Sequence, residues 1–392
     1  MTNTWEEVIQ QFHSGSHRAV LAITGGGTTA ISQLLSVPGA SKTILEAIVP
    51  YALVSLADWL GRRSEQACSE KTALKMAATS LQRAQLLTAT ESTDIGNAHN
   101  LQNVAPDLIG LGCTASIRSH TLKQGDHRCF VATETALTTC LYSIVLTKGF
   151  RDRTGEEQIV SELVLRAVAE TCDIPAIPQL DVTDDETVYV DRLQADPLLA
   201  DVRSGRLMNV WSLPNGCLAI NSHVVPQGIL SGSFDPLHAG HIALRTAAEK
   251  YLGTPVFYEL PIFNADKPPL DYLTIEARRA QFREEQLALT AAPTFAQKAI
   301  IFPDTTFVVG IDTAERIVQP QFYGGSEDSM RTALSQFRRQ GCKILVAGRK
   351  SGISFRTLAD INVPKDFTEL FVELPESQFR SDISSTEHRK RN

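Results

Sequence analysis

Apolar and polar positions along this chain follow the rhythm of strands and helices taken in turn. Trp5, Val8, Ile9 and Phe12 recur at helical spacing, which predicts a short amphipathic helix over residues 5–12. A compact apolar run over 18–23 then ends in Thr24-Gly25-Gly26-Gly27-Thr28-Thr29, and a helical pattern over 30–37 closes at Pro38-Gly39. Strand, glycine turn and helix form the opening unit of many α/β domains. Residues 107–113 and 128–133 read as further strands, and 155–171 as a long amphipathic helix.

After Asp173 the rhythm breaks. Residues 174–226 are rich in proline and aspartate, with short β-type runs at 187–190 and 217–220, and are expected to form a linker or boundary region. From Gly228 the alternation returns, with strands at 228–231, 256–260, 306–309 and 343–346 and a helix at 329–339. No internal repeat or low-complexity tract interrupts it. The expected organisation is therefore α/β in two domains, 1–173 and 227–392, flanking the boundary region.

Composition narrows the class. A chain of 392 residues exceeds one ordinary core, and 43% hydrophobic with 21% charged residues is a globular balance. A net charge of -7 gives no support to nucleic-acid binding. The seven cysteines are scattered, odd in number and contain no CxxC pair, as expected of reduced thiols in a cytoplasmic setting. The N-terminus lacks an apolar signal core, and Glu46, Pro50 and Asp58 interrupt the most apolar long stretch, so no membrane span is expected.

The densest chemistry lies at Gly232-Ser233-Phe234-Asp235-Pro236-Leu237-His238-Ala239-Gly240-His241, between an apolar strand and an alanine-rich helix in which Ile242, Leu244 and Ala248 are available for packing. Histidines three apart at a helix start are spatial neighbours. A helix N-terminus adds backbone N–H groups and the positive end of a dipole, which suit an anion. Gly232 and Gly240 remove side chains where backbone must approach a ligand or another strand closely. This string resembles the signature of the HxGH nucleotidyltransferase superfamily, whose pattern G-T/S-F-D-P-x-H-x-G-H it matches throughout.

The resemblance implies a Rossmann-like parallel-sheet domain in which His238 and His241 hold the phosphates of a nucleoside triphosphate. A phosphate of the second substrate would attack the α-phosphorus in line and pyrophosphate would leave, with Mg²⁺ bridging the phosphates. The family's second phosphate motif, ISSTxxR, is matched by Ile383-Ser384-Ser385-Thr386-Glu387-His388-Arg389. Gly310 and Asp312 resemble the family's GxD segment beside the nucleotide. Asn264 to Lys267, followed by Arg278 and Arg279, resembles the lysine-then-arginine stretch of the pyridine-nucleotide branch, which places Lys267 and Arg279 in substrate binding.

The implied function is transfer of AMP from ATP to nicotinamide or nicotinate mononucleotide. The alternatives are a cytidylyl or pantetheine-phosphate transferase of the same fold, or a nucleotide-binding protein with little turnover. The family usually continues into a closing helix, whereas this sequence ends three residues after Arg389, and that favours the binding alternative.

The first 173 residues resemble the CinA carboxy-terminal domain, a nicotinamide mononucleotide amidohydrolase. The resemblance rests on Thr24-Gly-Gly-Gly-Thr-Thr, Val37-Pro-Gly-Ala-Ser41, Tyr51 and Ile109-Gly-Leu-Gly-Cys-Thr114. The family's nucleophilic serine falls on Thr24 and its lysine on Leu56, which cannot activate a nucleophile. This half is expected to bind a nucleotide or support an assembly without hydrolysing amides. Its glycine loop is read either as a phosphate cradle or as a tight turn. The expected partners are small-molecule nucleotides, and self-association stays open because relatives of both halves often self-associate.

Overall fold

The computed structural model describes residues 3–94, 107–121, 124–220, 225–264, 268–351 and 354–380. The chain divides into two compact units, Met1–Asp196 with Asp266–Thr274, and Pro197–Ala265 with Ile275–Asn392.

The first unit is built on β1 (Arg18–Thr24), β2 (Ile44–Ile48), β3 (Leu108–Ser116), β4 (His127–Glu134), β5 (Thr138–Leu146) and β6 (Tyr189–Gln194). They form one mixed sheet in the order β2-β1-β3-β4-β5-β6, parallel at β2-β1-β3 and antiparallel beyond. The opening helix runs Trp5–Ser14 and buries Val8, Ile9 and Phe12, as its spacing predicts. The helix Arg153–Thr171 departs from the expected amphipathic type. Ile159 through Leu165 and Ala167 through Ala169 are all buried, so it is enclosed on most sides, and its buried Glu156 meets His127 at 2.7 Å.

The proline- and aspartate-rich stretch at 174–226 is shared between the two units. β6 joins the first sheet as an edge strand, while the helix Pro197–Arg203 and two later strands belong to the second unit. An edge strand faces water, so its sequence carries little hydrophobic signal, and Asp191 and Arg192 blunt the edge. Ahead of it, buried Glu186 accepts hydrogen bonds from Arg151 and from the N–H groups of Thr147 and Thr183. Burial alone would raise that carboxyl. The guanidinium and the two amides more than reverse the effect and hold it at about 2.

The second unit is built on β7 (Asn209–Ser212), β8 (Leu218–Ala219), β9 (Gly228–Ser231), β10 (Val256–Pro261), β11 (Leu287–Thr290), β12 (Thr306–Gly310) and β13 (Lys343–Ala347). A small hairpin pairs β14 (Arg349–Ser351) with β15 (Ser354–Arg356), and β16 (Phe371–Leu374) ends the series. The main sheet runs β16-β13-β12-β9-β10-β11-β7-β8. It is parallel from β16 to β11, and β7 and β8 are antiparallel at one edge. Strand order reverses at β9, which pairs with the next strand β10 on one side and with β12 on the other. Ligands of open α/β sheets bind at the carboxyl ends of strands flanking such a point. Among the described residues, no helix is long and apolar enough to cross a membrane.

Candidate functional site

The string of residues 232–241 sits at that reversal. Gly232 follows the last residue of β9, and its N–H donates to the carbonyl of Glu259 on β10 at 3.0 Å. Val308 of β12 lies opposite Leu230 of β9, so continuation of the same register sets Gly310 beside Gly232. Gly310 ends β12 and caps the helix Ile311–Ile317, in which Asp312 lies in the first turn.

Two features fix the loop. Phe234 adopts a positive φ of 44°, a conformation unfavourable for a residue with a Cβ. Its ring is fully buried and meets His241, Tyr258 and Phe282 edge-on at 5.1, 5.4 and 5.1 Å. Gly232 is small for the sake of this ring, because a Cβ there would stand 2.7 Å from it. The close approach expected of a ligand or strand is that of the loop's own phenylalanine.

From outside, Arg278 donates to the carbonyl of Ser233 at 2.9 Å and pairs with Asp235 at 3.6 Å. Gln281 accepts from the N–H of Leu237 at 2.7 Å and donates to the carbonyl of Phe234 at 3.1 Å.

His238 is the N-cap of the helix Ala239–Leu252, and Gly240 lies in its first turn. The helix buries Leu244, Ala247 and Ala248, but Ile242, expected to pack, is 52% exposed. The rings of His238 and His241 stack with centroids 3.8 Å apart and an interplanar angle of 23°. The N–H of His238 donates to Nδ1 of His241 at 3.3 Å, which leaves the imidazole proton on Nε2. Burial, with the neighbouring His238 as a second cause, lowers the pKa of His241 to about 4. At neutral pH this group is therefore an uncharged N–H donor in a fixed tautomer, suited to a phosphoryl oxygen.

Other expected residues are placed as follows. Asp312 is engaged by Arg349 and lies 4.0 Å from Arg356, while Glu315 holds Arg356 at 3.2 Å. Arg279 does not face the loop. Glu276 takes its guanidinium at 2.7 Å, and the carbonyl of Gly216 in the β7–β8 connection accepts from it at 2.7 Å. It lines a hollow of about 350 Å³ with Asn215, Phe282 and Arg283. The neighbouring Arg278 is the one that reaches the histidine string, because consecutive helical residues point in different directions. Lys267, Ser384, Ser385, Thr386 and Arg389 lie outside the described residues.

Sequence reasoning missed a polar group behind the loop, made of Ser231, Glu259, Thr290 and Lys298. The available signal was one acid inside the apolar strand Val256–Pro261 and one lysine inside the short helix Phe295–Ile301.

The first unit's glycine loop is organised differently. Gly25 and Gly27 have φ of 82° and 90°, so the turn needs glycine at both. The Glu157 carboxylate enters it, accepting from the N–H groups of Gly27 at 2.9 Å and Thr29 at 3.2 Å and from the Thr28 hydroxyl at 3.1 Å. The donors expected for a phosphate therefore hold the chain's own anion. Thr24 is buried and donates its hydroxyl to the carbonyl of Pro50 at 3.0 Å, and Leu56 is buried. Neither arrangement activates Thr24 as a nucleophile.

Two imidazoles thus stack on a helix start at the strand-order reversal of a parallel sheet. Residues 229–391 match the family model described as Cytidylyltransferase-like, and the C-terminal half is a cytidylyltransferase-like domain of the HxGH type. No curated protein matches the chain. Solved structures similar to it include a competence-damaged protein (CinA) superfamily protein from Escherichia coli. That match has 17% identity and a TM-score of 0.30, and covers 44% of this chain and 90% of that one. A competence/damage inducible protein from Agrobacterium tumefaciens matches at 15% identity and a TM-score of 0.28, covering 44% of this chain and 98% of that one.

Proposed function

We propose that the second unit transfers a nucleotidyl group, as AMP from ATP, to the phosphate of nicotinamide or nicotinate mononucleotide, releasing pyrophosphate. The observation that carries the transfer reading is the stacked His238–His241 pair with an Nε2–H donor fixed at a helix start. Backbone amides and the neutral His241 imidazole N–H stabilise charge on the phosphoryl oxygens, and positioning contributes the rest of the rate.

The reading of the acceptor rests on the sequence stretch from Asn264 to Arg279, in which Arg279 lines the hollow beside Gly216. Among the described residues, no group of three or more histidines, cysteines or carboxylates is placed to hold a metal ion. Mg²⁺ would be brought by the triphosphate and neutralise its charge, with Asp235 as the carboxylate the loop offers near it. Thr24 and Leu56 support a first unit that does not hydrolyse amides.

The test is pyrophosphate release with Mg²⁺, ATP and either mononucleotide, comparing wild type with His241→Ala. Removing one such donor is expected to lower kcat by about 10²–10³-fold. Turnover with CTP in place of ATP, or with pantetheine phosphate as acceptor, would move the assignment within the family. ATP binding without turnover on any acceptor would leave a nucleotide-binding protein.

A further inference from the structure

Directly behind the histidine loop, four polar side chains meet inside the sheet. Glu259 of β10 is fully buried, and the side chain of Lys298 is 4% exposed. The Lys298 ammonium donates to Glu259 Oε2 at 2.8 Å and to Ser231 Oγ at 2.6 Å. Ser231 in turn donates its hydroxyl to the same carboxylate oxygen at 2.5 Å, and Thr290 of β11 donates to the other oxygen. Three adjacent strands and one helix are thus tied at a single carboxylate. The tie lies one residue before the loop begins, because Ser231 precedes Gly232 and the carbonyl of Glu259 holds the Gly232 N–H.

Stability gives a poor account of this group. Taking both charges out of water is unfavourable, and an apolar pair of similar size commonly serves a fold as well or better. What the network supplies is direction. The hydrogen-bonded Ser231 side chain, beside the Gly232 N–H bond to Glu259, holds the chain where it leaves β9, and the loop that follows carries both imidazoles. Binding constellations need their donors held to within about 0.5 Å by supporting hydrogen bonds. We infer that Lys298 and Glu259 are positioning residues for nucleotide binding, acting through the Ser231 hydroxyl on the loop of residues 232–241. The inference rests on the nucleotidyltransferase reading of that loop.

Ser231 is the mild point of attack, since its replacement leaves the buried ion pair intact. Mg·ATP binding by calorimetry and pyrophosphate release are measured on the full chain for wild type, Ser231→Ala and Ser231→Thr, with the thermal midpoint of each. In Ser231→Ala, ATP affinity and kcat are expected to fall about tenfold to a hundredfold, as misplacement of about an ångström does. The midpoint should stay within a few degrees of wild type, and Ser231→Thr, which keeps the hydroxyl, should recover the affinity. Unchanged affinity and turnover in Ser231→Ala would overturn the inference, as would a loss that tracks the midpoint and is not recovered by threonine. A wild-type protein that binds no ATP would instead remove the nucleotide reading and the inference with it. That failure is distinguishable because it appears before any substitution is made.

Discussion

The chain contains two strand-to-helix turns that look alike in sequence, one at Thr24–Thr29 and one at Gly232–His241, and they have opposite interiors. In the first, amide and hydroxyl donors converge on the Glu157 carboxylate supplied by the helix Arg153–Thr171. In the second, the residues at the helix start are imidazoles, one of them a neutral N–H donor, and the support comes from behind and outside the loop. A glycine turn ahead of a helix collects N–H groups in either case. Whether such a turn can serve a ligand depends on whether the fold already provides its anion. The first turn is satisfied within its own unit, whereas the second is arranged around donors.

Breaking the support of the second turn should give the largest effect. Lys298→Met leaves Glu259 buried without its cation and is expected to destabilise the second unit by about 3–5 kcal/mol. Adding Glu259→Gln should return part of that loss, because the uncompensated charge is gone. Denaturant unfolding combined with amide exchange in β9 to β11 would measure both steps. A loss in the single variant no larger than in the double would show that the pair is not coupled. Gly232→Ala comes next. Its methyl group would stand 2.7 Å from the Phe234 ring, and overpacking of this kind costs about 1–3 kcal/mol. Since that ring meets His241 edge-on, the imidazole resonances of His241 should shift and ATP affinity should fall, both readable in one NMR titration.

Much of this contrast was legible in the sequence, and its limits have physical reasons. The string Gly232–His241 announced its place because a strand, a glycine turn and a helix have different periods that meet there. The pairing of His238 with His241 followed from helical spacing. The filling of the first loop was not legible, because Glu157 lies about 130 positions away and only the fold brings it to Gly27. Ser231, Glu259 and Lys298 were hidden for the same reason, each reading locally as a minor blemish in an apolar element. That Arg278 reaches the loop while Arg279 lines a separate hollow was not legible, because sequence proximity cannot tell which way each of two consecutive helical residues faces. The stretch at 174–226 reads as a linker or boundary region because edge strands and short hairpins have loop-like composition.

Removing the anion of the first turn sharpens the comparison with a smaller effect. Glu157→Ala leaves the N–H groups of Gly27 and Thr29 without their acceptor, and a loss of about 1–2 kcal/mol is expected for such partly exposed bonds. ATP binding at the second turn should not change. Inorganic phosphate at millimolar concentration should raise the thermal midpoint of Glu157→Ala more than that of wild type, since a ligand that binds the folded form stabilises it. Equal shifts in the two proteins would mean that the vacated donors do not select an anion, and the likeness between the turns would then be one of sequence alone.

The last effect concerns pH and separates the turns by chemistry. His241 titrates near 4 in the folded chain, against an ordinary value of 6.5. Between those values the unfolded chain binds a proton that the folded one refuses, so stability rises with pH across the window. The contribution of this group is complete above about pH 6.5 and is lost progressively as pH falls toward 4. The margin by which wild type exceeds His241→Gln in denaturant stability should therefore narrow from pH 7 to pH 5. A margin that widens as pH falls would mean that His241 is charged in the folded state. The loop would then hold triphosphate by a fixed cation, and the neutral-donor account of the second turn would have to give way to an ionic one.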